Sequence, residues 1–279
     1  MFRKLLKHDF KAVFRYWWLL LPTLPVLAFL LGLAVRYMAA YEQFANESIV
    51  FSLLMLLSVL FIVFAMILIS ASALVSPILS LVRFYKHFYT DEGYLTFTLP
   101  VKRSTLLLSK VVNAMIFDTM YVLLMGISAT ILILVIDPSI FPELIRFFFG
   151  GMPFEIGGWV ALFVFEGVLL LLVADLFSNL LLFLCVTIGA LIVKRAKLVV
   201  GLAIYYGVNV VLNTVIQIFM YLVIPTSTVL VAQFADMSLH GFLGICALFL
   251  FILIAAASTL ALTLYSMTLG RMEKKLNLS

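Results

Sequence analysis

Six long apolar stretches, separated by short polar segments, dominate the pattern of hydrophobic positions along the chain. They lie at Trp17–Val35, Ile49–Val82, Val111–Ile136, Gly158–Val193, Leu198–Ile224 and Phe242–Leu269. A hydrocarbon core of about 30 Å is crossed by roughly 20 helical residues, so each stretch is long enough to span a bilayer. The pattern predicts an all-α integral membrane protein with six transmembrane helices. Because the second and fourth stretches exceed the necessary length, we expect each to tilt or to project beyond the bilayer as one continuous helix.

The residues ahead of the first stretch show a different pattern, with apolar positions recurring at helical spacing and basic positions on the opposite face. The apolar residues are Phe2, Leu5, Leu6, Phe10, Val13, Phe14 and Trp17, and the basic residues are Arg3, Lys4, Lys7, Lys11 and Arg15. Such a helix lies on the inner leaflet with its lysines near anionic headgroups. We therefore divide the chain into an amphipathic membrane-surface helix at residues 1–16 and a six-helix transmembrane domain at residues 17–279. The alternative is an ordinary basic flank without a fixed helix.

The composition places most of the chain in lipid. The 279 residues are 66% hydrophobic and 11% charged, with a mean hydropathy of +1.26, whereas about a quarter of the residues in soluble domains are charged. Little of the chain is left for a separate soluble domain.

The positions of lysine and arginine predict the orientation. All of the 18 except Arg36 and Arg146 lie in the N-terminal segment or in the segments that follow the second, fourth and sixth stretches. Because these residues are retained on the cytoplasmic side, both termini are predicted to be cytoplasmic. The net charge of +5 therefore reflects the lysines and arginines that set the orientation in the membrane. We expect no nucleic-acid partner.

The sequence carries no pattern typical of a catalytic or metal site. Cys185 and Cys246 both lie in apolar stretches, which indicates packing rather than a disulfide framework. The histidines His8, His87 and His240 fall outside the stretches and far apart, and neither HExxH nor GxSxG occurs. We expect a protein that is not an enzyme and that holds neither a metal nor a cofactor.

The polar segment at residues 83–110, between the second and third stretches, is the most informative part of the sequence. Its structural signals are Asp91, Glu92, Gly93, the short stretch Tyr94–Leu99, Pro100 and Ser104. The two acids lead into a glycine that predicts a flexible break, and the proline closes the short stretch. The serine is the predicted N-cap of a helix that runs into the third transmembrane span. The segment is therefore predicted to be a short, structured platform facing the cytosol.

Part of this segment resembles a loop found in one family of transporters. The stretch Asp91–Val101, DEGYLTFTLPV, is followed by Ser104 and by Leu107–Lys110, LLSK. Together they are similar to the EGYL…LP…LL.SK stretch that follows the second of six helices in bacterial ABC-type-2 permeases. The resemblance implies the membrane-spanning permease subunit of an ATP-driven ABC exporter in the cell inner (cytoplasmic) membrane.

The same resemblance implies how such a permease is driven. A separate ABC ATPase subunit, in two copies, binds ATP and Mg, and a second permease subunit, identical or related, completes the membrane part. The residues implied in coupling to the ATPase are Asp91, Glu92, Gly93, Tyr94, Leu95, Phe97 and Pro100. A Walker A motif is absent from this chain, so we expect ATP hydrolysis in the partner polypeptide. The alternative is that the segment lies on the lipid headgroups.

Ionisable residues inside the predicted spans leave a second function open. Asp118, Glu166 and Asp175 lie within apolar stretches, where such groups are costly and usually face a polar cavity or a partner. Asp175 and Asn179 are about one turn apart, and we expect Glu166, nine residues before Asp175, on roughly the same side. These four residues are possible members of a translocation path, which would suit a stand-alone proton- or ion-coupled secondary transporter. The alternative is interhelical hydrogen bonding.

Overall fold

The computed structural model describes residues 2–44, 49–90, 92–93, 96, 100–149, 154–193, 196–234 and 238–275. Within these ranges nine helices follow one another along the chain. They are α1 (Phe2–Trp17), α2 (Leu20–Phe44), α3 (Ile49–Ser72), α4 (Val75–Tyr89), α5 (Arg103–Ile136), α6 (Ile140–Phe149), α7 (Phe154–Ile192), α8 (Lys197–Phe234) and α9 (Leu239–Lys275).

Six helical segments in this part of the chain are long and apolar enough to cross a membrane. They are Phe2–Ala39, Ser52–Tyr89, Arg103–Ile136, Gly157–Ile192, Lys197–Ile218 and His240–Met272. By helix length and hydropathy the chain is a multi-pass membrane protein. The predicted all-α fold class with six long apolar helices is thus confirmed. The cytoplasmic location of the termini and the division at residues 16 and 17 remain predictions.

The second span is not the continuous helix that its length predicted. It consists of α3 and α4, which are separated by a turn at Ala73 and Leu74. Pro77 explains the break because proline has no N–H to donate to the Ala73 carbonyl and its ring crowds that position. The fourth span, in contrast, is one uninterrupted helix of 39 residues, α7, as expected.

The chain forms two compact units, and helices α4 and α5 contribute residues to both. The first unit comprises Met1–Arg83 and Val112–Phe154, and the second comprises Phe84–Val111 and Glu155–Ser279.

Aromatic packing between α1 and α5 organises the first unit. Phe117 of α5 is fully buried, and its ring centre lies 5.0 Å from that of Phe10 and 5.7 Å from that of Trp17. Val13 and Leu24 belong to the same buried cluster. The apolar face of α1 is therefore packed against protein, and its basic residues are left at the surface.

The second unit is built around α7. Every residue from Asn179 to Thr187 in this helix is buried, so the helix is covered on all sides over more than two turns. Gly189 and Gly201 allow α7 and α8 to cross closely, since a Cβ on Gly189 would lie 2.5 Å from the Gly201 nitrogen. Small residues at such crossings bring helix backbones together in membrane proteins.

Candidate functional site: the polar segment between α4 and α5

Helices extend into both ends of the segment at residues 83–110. Helix α4 continues to Tyr89, and α5 begins at Arg103. The Lys102 carbonyl accepts hydrogen bonds from the amides of Thr105, at 2.9 Å, and Leu106, at 3.2 Å. The prediction that Ser104 is the N-cap is therefore wrong. The helix starts earlier because the Lys102 carbonyl already accepts the first helical hydrogen bonds.

The chain beyond α4 turns back onto the end of that helix. The Gly93 amide donates to the Thr90 carbonyl at 2.8 Å, and the Thr96 hydroxyl donates to the Glu92 carbonyl at 3.0 Å. Gly93 is buried, and a Cβ added there would lie 2.9 Å from the Phe88 carbonyl oxygen. Gly93 therefore fills a tight contact that excludes a side chain, and the flexible break expected at this position remains a prediction.

Four of the predicted coupling residues, Asp91, Tyr94, Leu95 and Phe97, lie outside the described residues. The others differ in exposure. The Glu92 side chain is 63% exposed and Pro100 is exposed, whereas Gly93 is buried. The Glu92 side chain is therefore exposed, whereas the next residue, Gly93, packs against the end of α4.

A buried basic group lies behind Glu92. Lys110 is only 6% exposed, and its Nζ is 3.0 Å from His87 Nδ1. An ammonium group can only donate, so Nδ1 accepts and a neutral His87 carries its proton on Nε2. That nitrogen is 3.9 Å from Glu92 Oε2, which is too long for a hydrogen bond. The three side chains form a row from the body of α5 to the exposed carboxylate.

Helix α4 contacts α7 through the first residues of the segment. The rings of Phe84 and Phe183 stack with a centroid distance of 4.2 Å. The Tyr89 hydroxyl donates to Thr187 Oγ1 at 2.8 Å. This end of the segment is therefore in direct contact with α7.

The first turn of α5 is hydrogen bonded to α9 at the other end of the segment. The Arg103 guanidinium donates to the Met272 carbonyl at 3.2 Å, and the Tyr265 hydroxyl donates to the Ser104 carbonyl at 3.1 Å. Both flanks of the segment thus contact a long apolar helix other than their own.

An ion pair links α1 to α4 within the first unit. Asp9 is 2% exposed, and its Oδ1 lies 3.3 Å from Arg83 Nε. Arg83 Nη2 also lies 3.2 Å from His8 Nδ1. We did not predict this pair, nor the pair of Lys110 and His87, although Asp9 falls between apolar positions on the helical wheel and was a signal for it.

Asp118 takes part in polar contacts between helices of the first unit. Ser76 donates a hydrogen bond to Asp118, and beside it Ser72 Oγ lies 2.9 Å from the Tyr121 hydroxyl. These bonds join α3 and α4 to α5 within the first unit. This geometry favours an interhelical role for Asp118.

Asp175 and Asn179 do lie together on α7, because Asn179 Nδ2 donates to Asp175 Oδ1 at 2.9 Å. The expectation that Glu166 is on the same side is wrong. Nine residues advance an α-helix by about two and a half turns, so Glu166 points to the opposite side of α7. Glu166 is 8% exposed, and its Oε2 has no hydrogen-bond partner within the described residues.

Comparison with known proteins identified no relative of this chain. No protein-family model, no curated protein and no solved structure matches the chain. Among the described residues, no group of three or more histidine, cysteine, aspartate or glutamate side chains is arranged to hold a metal ion.

Proposed function

We propose that this chain is the permease subunit of an ATP-driven ABC exporter of the ABC-type-2 kind. In this proposal a separate ATPase subunit, in two copies, binds ATP and Mg and hydrolyses the nucleotide. This chain and a second permease subunit, identical or related, form the path through the cell inner membrane of a bacterium. The six long apolar helices and the sequence of residues 91–110 support the proposal.

The observation that carries the proposal is the contrast between Glu92 and the structure behind it. Its carboxylate is 63% exposed, while Gly93 is packed against α4 and Lys110 is buried against His87. A motor protein that pushes on this carboxylate also pushes on the backbone of Gly93, which is packed against the end of α4. The contacts of α4 with α7 and of α5 with α9 then carry the displacement into the long apolar helices. Exposed acids with aromatic neighbours are also well suited to bind a basic groove on a partner.

The proposal is tested by purifying the tagged protein from its native membrane in mild detergent. We expect a stoichiometric ATPase to co-purify and to hydrolyse ATP. Replacing Glu92→Lys together with Tyr94→Ala reverses the exposed charge and removes the adjacent aromatic ring, so the ATPase should be lost while membrane insertion is unchanged. The control is Asp137→Lys, because Asp137 is also an exposed acid and lies on the predicted opposite side of the membrane. Co-purification that survives the double substitution contradicts the coupling role.

A second candidate function is a proton- or ion-coupled secondary transporter. The observation in its favour is Glu166, a buried carboxyl whose Oε2 lacks a hydrogen-bond partner in the described part of the chain. Such groups within membrane helices mark proton and ion pathways. The same purification separates the two candidates, since a protein that purifies alone and moves substrate under a proton gradient without ATP belongs to this second class.

A further inference from the structure

Helix α1 presents a continuous basic stripe to its surroundings. The stripe consists of Arg3, Lys4, Lys7, Lys11 and Arg15, all of which are exposed. At about 100° per residue these five positions fall within an arc of roughly 120°. None of the five forms an ion pair with an acid in the described ranges. The stripe is therefore a concentrated and unneutralised positive surface.

The one acid of α1 is kept away from this stripe. Asp9 is 2% exposed and pairs with Arg83 of α4, so its negative charge is already compensated inside the protein. An exposed aspartate would have attracted the neighbouring lysines and weakened the field of the stripe. The negative charge of Asp9 is thus paired with Arg83 and does not lie among the five exposed basic residues.

Protein contacts hold the stripe in place. The opposite face of α1 packs through Phe10, Val13 and Trp17 onto Phe117 of α5. Turning α1 about its axis would break this packing. The basic residues are consequently held at a fixed position with respect to the helices of the first unit.

We propose that this basic stripe is a binding surface for the headgroups of anionic phospholipids. A lipid fits better than a soluble polyanion because α1 is separated from α2, the first long apolar helix, by only Trp18 and Leu19. Tyr16 is 62% exposed and Trp18 is 50% exposed at this junction. Exposed tyrosine and tryptophan at the start of a membrane helix are typical of the headgroup level. The stripe therefore meets lipid phosphates where the chain enters the bilayer.

The experiment uses the full-length protein reconstituted in vesicles of phosphatidylcholine with a small fraction of spin-labelled lipid. The protein-bound fraction of spin-labelled phosphatidylglycerol is compared with that of spin-labelled phosphatidylcholine. We expect a preference for phosphatidylglycerol that weakens at low salt with each lysine removed, by at most about fivefold per lysine. Lys7→Gln with Lys11→Gln should therefore abolish most of it, and 1 M salt should do the same, because charges are screened beyond about 3 Å.

Two further variants separate the stripe from general positive charge and from misfolding. Lys86→Gln with Lys102→Gln removes two exposed lysines of the predicted cytoplasmic side and should leave the preference nearly intact. Lys7→Arg with Lys11→Arg keeps the charge and should retain the preference. Equal loss in the control pair, or no preference in the wild type, overturns the proposal. A stripe that instead retains an acidic protein partner, with no lipid preference, overturns it as well. The readout requires no ATPase, so it is independent of the exporter proposal.

Discussion

At the scale of single residues, Gly93 shows how closely the polar segment is packed. A methyl group at this position would lie 2.9 Å from the Phe88 carbonyl oxygen and 3.1 Å from its carbon. Both are backbone atoms at the end of α4, so neither moves without disturbing the helix. Overpacking of this kind usually costs about 1–3 kcal/mol.

We predict that Gly93→Ala displaces the segment and destabilises its attachment to α4. Proteolysis within residues 90–102 should become faster, and the melting temperature of the purified protein should fall. The matched control is Gly126→Ala on α5, where an added Cβ meets no atom within 4 Å. That substitution should be neutral or stabilising by up to about 1 kcal/mol, since alanine is the better helix former. If both variants resist protease equally, the close contact at Gly93 is not important for the segment.

Side-chain pairs between residues that are far apart along the chain were the hardest feature to predict from the sequence. Exposed Glu92 could be predicted because its acidic and turn-forming neighbours are local signals. The partnership of Lys110 with His87 could not, since it depends on where α5 returns beside α4. Ser104 was misjudged because a serine just before an apolar run is a common N-cap, and only the hydrogen bonds to the Lys102 carbonyl show where the helix starts.

At the scale of helices, the crossing of α7 and α8 depends on two glycines. A Cβ on Gly201 would lie 2.7 Å from Val186 Cα, and a Cβ on Gly189 would contact the Gly201 backbone. We predict that Gly201→Ala forces the helices apart and lowers stability in detergent by about 1–3 kcal/mol. Gly207→Ala, on the same helix but facing open space, should have little effect. Thermal unfolding of the two variants measures the difference, and equal melting temperatures would exclude a close crossing.

The helical elements were predictable to the extent that lipid alone determines them. Six apolar stretches had to become helices because backbone groups in a bilayer must bond internally. The break between α3 and α4 was missed because the apolar pattern continues through it, although Pro77 lies three residues after the turn. Glu166 was assigned to the wrong side of α7 through helical geometry alone, since nine residues correspond to a half-integral number of turns.

At the scale of the whole molecule, the distribution of basic residues predicts which ends of the helices face the cytoplasm. The polar segment between α4 and α5 must lie inside for an ATPase to reach Glu92, and the basic stripe of α1 must lie on the same side. The loop after α5, which begins at Asp137, must then lie outside. Orientation thus links the exporter proposal and the lipid proposal to one measurable property.

We predict this orientation from the retention of lysine and arginine in the cytoplasm. In a variant with Cys185 and Cys246 replaced by alanine, single cysteines are placed at the exposed positions Lys102 and Ser139. A membrane-impermeant maleimide applied to intact cells should label Ser139→Cys, and should label Lys102→Cys only after the membrane is opened. Labelling of Lys102→Cys in intact cells would place Glu92 on the side without ATP. That result would exclude coupling to a cytoplasmic ATPase through this segment while leaving the six-helix fold unaffected.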